Sequence, residues 1–319
     1  MSTTRSKTHP RSLLAALSAL LAAAALATSG SLHAATITAL KHGKSFTDAT
    51  VWSNGQLPSS DNDYFANSFR IETANDALDY TFGGKSLTLD QNGHLRLFGS
   101  GTITINDLRF GGSGSGKIQS WSDSLIPHVA GTMTLTSYGV IEPGAGRTIK
   151  ISSTINGVDK NAYLEIRTGT VQLVGGVINC EKATYITSGH LQALADGILR
   201  SVRLDSVNAK FTLSGGTTHN YINDSADLIL VSNMPAGAVD LSFVGTDIIG
   251  RLSLDGGTTW LADGTYGSLT STAQHKFEVF AGSGILQIGT SNIPEVSTSA
   301  LIAALGVALT VVVFRRRRA

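Results

Sequence analysis

Cysteine is nearly absent from this 319-residue sequence: Cys180 is the one example, so no internal disulfide can form. Small disulfide-stapled scaffolds are thereby excluded, and the fold must rest on apolar burial and backbone hydrogen bonding. Proline occurs six times, and charged residues make up only 15%. Amphipathic helices are missing as well. Between residues 35 and 291 no stretch holds a 3.6-residue apolar period beyond about three turns. The nearest, Leu191–Arg200, is interrupted by Gly197 and reads as a loop or turn. Clustered Lys and Arg are lacking from the same span, which argues against nucleic acid as a partner. Catalytic signatures are absent too. No His-x-His or His-Glu-x-x-His pair offers a zinc site, no Gly-x-Ser-x-Gly elbow presents a serine, and neither a helix nor Gly-Lys-Ser/Thr follows the glycine run Gly111–Gly116 to make it a phosphate loop. No cofactor is implied.

What is abundant is glycine, 35 residues, about 11% against a usual ~7%. It punctuates short alternating runs. Leu87 and Leu89 share one face of Ser86–Asp90, Leu95 and Leu97 one face of His94–Phe98, and Ile103 and Ile105 one face of Thr102–Asn106. The same pattern returns at Met133–Leu135, Ile149–Ile151, Leu164–Ile166, Val171–Leu173, Phe211–Leu213, Leu228–Leu230, Leu241–Phe243, Leu252–Leu254 and Leu286–Ile288. The fold class is all-β. Strands this short bury little area alone, so successive rungs that stack are expected: a right-handed parallel β-helix over residues 35–291, with three strands per coil of roughly 20–25 residues. The alternative is one or more antiparallel β-sandwiches, which show the same alternation and glycine turns. Residues 36–80 are expected to cap the stack, with Trp52, Tyr64 and Phe69 covering its apolar end, and 252–290 to supply closing strands.

Candidate sites are few. Asp48, Asp61, Asn62, Asp63 and Glu72 carry oxygen ligands suited to Ca²⁺, yet their spacing lacks the glycine and distal glutamate of an EF-hand, and an Asx-rich turn accounts for them without metal. Gly111–Gly116 lacks the aspartate of calcium-binding glycine repeats and reads as a connection. His42, His94, His128, His190, His219 and His275 are scattered singly. Cys180 ends a strand and reads as a small buried side chain. Asp205, Lys210, Asp224 and Asp227 come nearest to the clustered acids and cations of a polysaccharide-cleaving site, although turn positions explain them equally well. Outward Thr and Ser rows offer hydrogen-bonding surfaces.

The two ends differ from the body. Arg5, Lys7 and Arg11 precede the Leu/Ala-rich run Leu13–Ala27, and Ala34 closes a Leu-His-Ala cleavage pattern, as in a secretory signal peptide spanning 1–34. These three cations and Arg315–Arg318 account for seven of the 24 basic residues; the 17 left are outnumbered by 23 acids, so the exported part is mildly acidic. At the other end an uncharged run over 299–314, Leu301 to Phe314 within it, is at the lower limit for a transmembrane helix, and Arg315, Arg316, Arg317 and Arg318 behind it would stay inside. Pro294-Glu295-Val296, a Ser297-Thr298 spacer, this apolar run and the arginine cluster together resemble the PEP-CTERM sorting signal, here residues 293–319. Val296 stands where that family has its second proline. The resemblance implies recognition at Pro294 and Glu295 by an exosortase, after Sec export and signal peptidase action, with transient membrane anchoring before release to the surface. Trp52–Tyr64 loosely resembles the W-x-N-G-x-x-P-x-x-x-N-D-Y opening that precedes β-helical domains in exported bacterial proteins, and 252–288 the closing unit of autotransporter-like β-strand-repeat proteins. The expected role is structural or interactive at the cell surface or in an extracellular polysaccharide matrix, through exopolysaccharide contact or self-association. A carbohydrate-active enzyme, or a carbohydrate- or ice-binding module, on the same scaffold remains the alternative.

Overall fold

The computed structural model describes residues 34–289 except Ser113. Ala34 is the first of these. The rest of the expected signal peptide lies outside the described residues, as do Pro294, Glu295, Val296, the apolar run with Leu301 and Phe314, and Arg315 to Arg318.

The chain winds as a parallel β-solenoid with three strand positions per coil, not as a sandwich. Face 3 is the simplest to follow: Lys44–Ser45, Arg70–Glu72, His94–Leu97, Lys117–Ser120, Tyr138–Ile141, Tyr163–Ile166, Thr184–Ile186, Val202–Leu204, Asp227–Leu230 and Arg251–Ser253 pair in that order, all parallel. Faces 1 and 2 merge into one 14-stranded sheet, because Thr102–Phe110 and His128–Leu135 each bend across both. Face 1 continues through Thr148–Ile151, Thr170–Leu173, His190–Ala193, Lys210–Leu213, Val239–Leu241 and Phe280–Gly282. Face 2 contains Thr36–Thr38, Asp63–Phe65, Ser86–Leu89, Thr154–Gly157 and Ile178–Asn179. Among the described residues the one helical segment is the 3-10 turn Ala49–Val51, capped by the Asp48 carboxylate.

Alternation fills the interior in columns. On face 3, Ile71, Leu95, Ile118, Ile141, Ile166, Ile186, Leu204 and Leu230 are successive register partners and all are fully buried. On face 1 the column is Ile149, Val171, Leu191, Phe211, Val239 and Phe280. Each such side chain contributes ~1.5–3 kcal/mol through burial. Leu191–Arg200 is therefore not simply a loop or turn. Its first part belongs to the strand His190–Ala193, with Leu191 and Ala193 inward, and the turn comes after it, where Gly197 takes a φ of +68°.

Coil length varies. The column advances 23 residues from Leu95 to Ile118, 25 from Ile141 to Ile166, 18 from Ile186 to Leu204 and 26 from Leu204 to Leu230. The corner between faces 1 and 2 needs Gly131. Its φ is +105°, the strand register shifts there, and a Cβ would collide with the Ile105 carbonyl oxygen.

The ends are closed differently. Near the start, Trp52 is buried, donates its indole N–H to the Phe46 carbonyl at 3.1 Å and packs edge-on to Tyr64 at 4.8 Å. Phe46 and Phe82 complete this aromatic plug. Phe69, partly buried, also packs against the core, and its ring meets His42 at 4.8 Å. At the far end Gly264–Gly267 runs antiparallel to Ile285–Ile288, which is itself parallel to Thr246–Ile249. Beyond the reversal His275–Lys276 pairs parallel with Gly264–Gly267 as the last strand of this sheet.

Candidate functional site

A solenoid presents its chemistry along outward rows, where register partners from successive coils are ~4.8 Å apart. The two polar outer faces are built on opposite principles.

Face 3 gathers arginine. Of the eight arginines in residues 34–289, all but Arg109 sit on it or on its bordering turns. Most are matched by a carboxylate from the same face. Arg167 reaches both oxygens of Glu165 at 2.8 Å, and Thr187 adds a hydroxyl to the same carboxylate. Arg251 forks onto Asp227 at 2.9 and 2.7 Å while stacking on Trp260. Arg203 meets Asp205 at 2.8 Å, Lys117 meets Glu142 at 3.0 Å, and Arg147 meets Asp123 at 2.7 Å. Arg96 pairs with Glu72 and lies 3.8 Å over Trp121. Partly exposed pairs such as these contribute about 1 kcal/mol or less each, but they leave little charge unanswered. Tyr138 and Tyr163 stack nearly coplanar at 5.4 Å along the axis. Tyr185 follows at 4.8 Å from Tyr163, tilted by 55°, and the Lys182 ammonium lies 5.5 Å from the Tyr163 ring centre.

Face 1 is uncharged or cationic from His128 to Thr212, and the next rung then places Asp240 beside Thr212. One row reads Thr102, His128, Lys150, Gln172, Gln192, Thr212; the adjacent row reads Thr148, Thr170, His190, Lys210. Bonds across the coils brace them: His128 to Ser152 at 2.8 Å, Gln172 to Gln192 at 2.9 Å and His190 to Thr212 at 2.8 Å. Burial, then Lys150, lowers the His128 pKa against an opposing pull from Asp79; burial, then Lys210, lowers that of His190 against Asp240. Neither lysine has an ion-pair partner among the described residues.

The sequence candidates are dispersed by this geometry. Asp205 and Asp227 are held by Arg203 and Arg251 on face 3, Lys210 points out from face 1, and Asp224 is exposed in the turn before Asp227; they form no common groove. Asp48 caps the 3-10 turn, Asp63 accepts from Ser86 at 2.6 Å, and Glu72 pairs with Arg96 on a different face. Asn62 bonds Ser59. No cluster of three or more His, Cys, Asp or Glu suited to a metal occurs among the described residues. Gly111–Gly116 connects face 2 to face 3, where the Ser115 N–H donates to the Asn92 side chain. His94 faces out on face 3, its pKa lowered by burial and by Lys117 and Arg96. Cys180 is buried, and burial pushes its thiol up to about 11, far from a reactive thiolate.

Two features had no sequence signal beyond their residue type. Asp255 folds the closing loop by accepting from Thr259 and Thr258, the Thr259 hydroxyl foremost, which brings its pKa down to about 2. Asp247 points into the interior, with no exposed surface and one carboxylate oxygen unpartnered. Comparison with protein-family models, curated proteins and solved structures finds no match to this chain.

Proposed function

We propose that this chain is an exported β-solenoid with a structural or interaction role at the cell surface or in the extracellular polysaccharide matrix. The carrying observation is that its polar groups are committed to one another, within one coil at Arg167–Glu165 and Arg203–Asp205 and between coils at Arg96–Glu72, Lys117–Glu142, Arg251–Asp227 and Gln172–Gln192, and do not converge on a reaction centre among the described residues. A braced rod with continuous outer faces suits contact with extended partners. A right-handed winding follows from the general chirality of parallel crossovers. The targeting half of the proposal rests on the ends of the sequence: a leader ending at Ala34, and the PEP-CTERM-like tail with Pro294-Glu295-Val296 ahead of an apolar run and four arginines. Signal peptidase and an exosortase-type enzyme are its processing partners.

Mass spectrometry of the protein recovered from the cell surface tests this. The expected mature chain begins at Ala35 and has lost Arg315–Arg318 by cleavage close to Pro294-Glu295. An intact arginine tail on surface-located protein overturns exosortase processing.

A further inference from the structure

From the contrast between the outer faces we infer that face 1 binds an anionic polysaccharide, its carboxylates seated against Lys150 and Lys210. From the strand His128–Leu135 to the strand Lys210–Leu213, the outward positions of face 1 hold hydroxyls, amides, two imidazoles and two lysines, and the strip ends at Asp240, the partner of Thr212 on the next strand. This contrasts with residues 34–289 as a whole, where acids outnumber bases, and with face 3, where carboxylates answer the arginines in place. A cationic strip on an acidic rod is an electrostatic complement for an anion and disfavours approach to the other surfaces.

The spacing selects the kind of anion. Lys150 and Lys210 are three coil steps apart along the axis, through Gln172 and Gln192 to the level of Thr212, and two residues apart across it, or roughly 16 Å at ~4.8 Å per step and ~3.3 Å per residue. Nucleic acid carries a charge about every 1.7 Å of duplex and needs clustered cations and stacking rings, which this face lacks. An extended chain of pyranoses with charges separated by neutral hydroxyls fits better. Between the lysines, Thr170, Gln172, Gln192 and Thr212 supply the donors and acceptors that sugar hydroxyls require. The cross-coil bonds hold Gln172, Gln192 and Thr212 in place before any ligand arrives, which reduces the ordering cost of binding.

The inference deepens the matrix role proposed above and names its ligand class. The test uses the full chain in mild detergent and immobilised polygalacturonate, with its methyl-esterified form as a neutral partner of the same backbone. Retention on the free acid is expected, with weak retention on the ester and loss as NaCl rises from ~50 to ~300 mM. Lys150→Gln/Lys210→Gln is expected to lower retention about fivefold or more, with Lys160→Gln, on a turn off this face, unchanged. Both variants change solvent-facing side chains, and an unaltered circular dichroism spectrum separates binding loss from misfolding. Equal retention on acid and ester, undiminished retention by the double variant, or displacement by duplex DNA at equal charge overturns the inference. Its failure leaves the surface and processing proposal standing, because that is judged on the mature termini.

Discussion

Asp247 enters the solenoid interior from the strand Thr246–Ile249, next to Ile249, while Ile248 between them is 41% exposed. One carboxylate oxygen accepts the Ile222 backbone N–H at 3.3 Å, satisfying a donor that no neighbouring strand reaches. Burial, opposed by the hydrogen bonds from Ile222 and Tyr221, raises its pKa from 3.8 to about 8. The folded state therefore holds a proton that the unfolded chain releases. Stability from this group is complete below the ordinary carboxylate range and falls as pH rises toward about 8, at up to ~1.4 kcal/mol per pH unit, then levels off. Asp247→Asn keeps an acceptor for Ile222 and removes the titration. Thermal midpoints at pH 5 and 8.5 are expected to differ more in the parent than in the variant; parallel pH profiles would refute the assignment. Nothing in Gly-Thr-Asp-Ile-Ile-Gly announces this role. Aspartate in a glycine-flanked segment reads as a surface turn, and alternation there fits either isoleucine facing inward.

At the scale of strands, legibility follows apolar density. Leu87/Leu89, Leu95/Leu97 and Ile103/Ile105 mark their faces unambiguously, and all six side chains are buried. Lys44–Ser45, Arg70–Glu72 and Tyr80–Thr81 have at most one inward side chain each and gave no periodicity to detect. They are strands because neighbouring coils offer backbone partners, a tertiary effect that overrides local preference. Corners are similarly hidden. Met133–Leu135 is readable as a strand, but its continuity with His128 through the bent Gly131 is not, since glycine also marks ordinary turns. Gly131→Ala meets two obstacles at once: a positive φ and collision with the Ile105 carbonyl. A loss of roughly 2–4 kcal/mol is expected. Urea denaturation measures it, with Gly146→Ala for comparison, where φ is also positive but a Cβ meets nothing within 4 Å. Equal destabilisation by both would show that the carbonyl contact contributes nothing.

For the molecule as a whole, stacked rungs were legible but the functional rows were not. A row forms only when coils are aligned in register, and coils of 18 to 26 residues along a single column erase any fixed period that would reveal it. His128 and Lys150 are 22 positions apart in the chain, yet they are direct partners on face 1. The same stacking creates a hazard at the last coil, where parallel strands end in bare backbone donors and acceptors. Here Phe280–Gly282 and Ile285–Ile288 cover Val239–Leu241 and Thr246–Ile249, and the antiparallel Gly264–Gly267 covers Ile285–Ile288. Tyr266, buried and 4.9 Å from His275, anchors that reversed strand. Removing this unit leaves two faces open at once. A chain of residues 34–253 is therefore expected to retain β-sheet circular dichroism and to associate through its exposed edges, its weight-average mass rising with concentration. A chain of residues 34–289 should show no such rise. Sedimentation equilibrium compares the two, and a shortened chain that stays monomeric would show that the closing unit is not what guards the end of the stack.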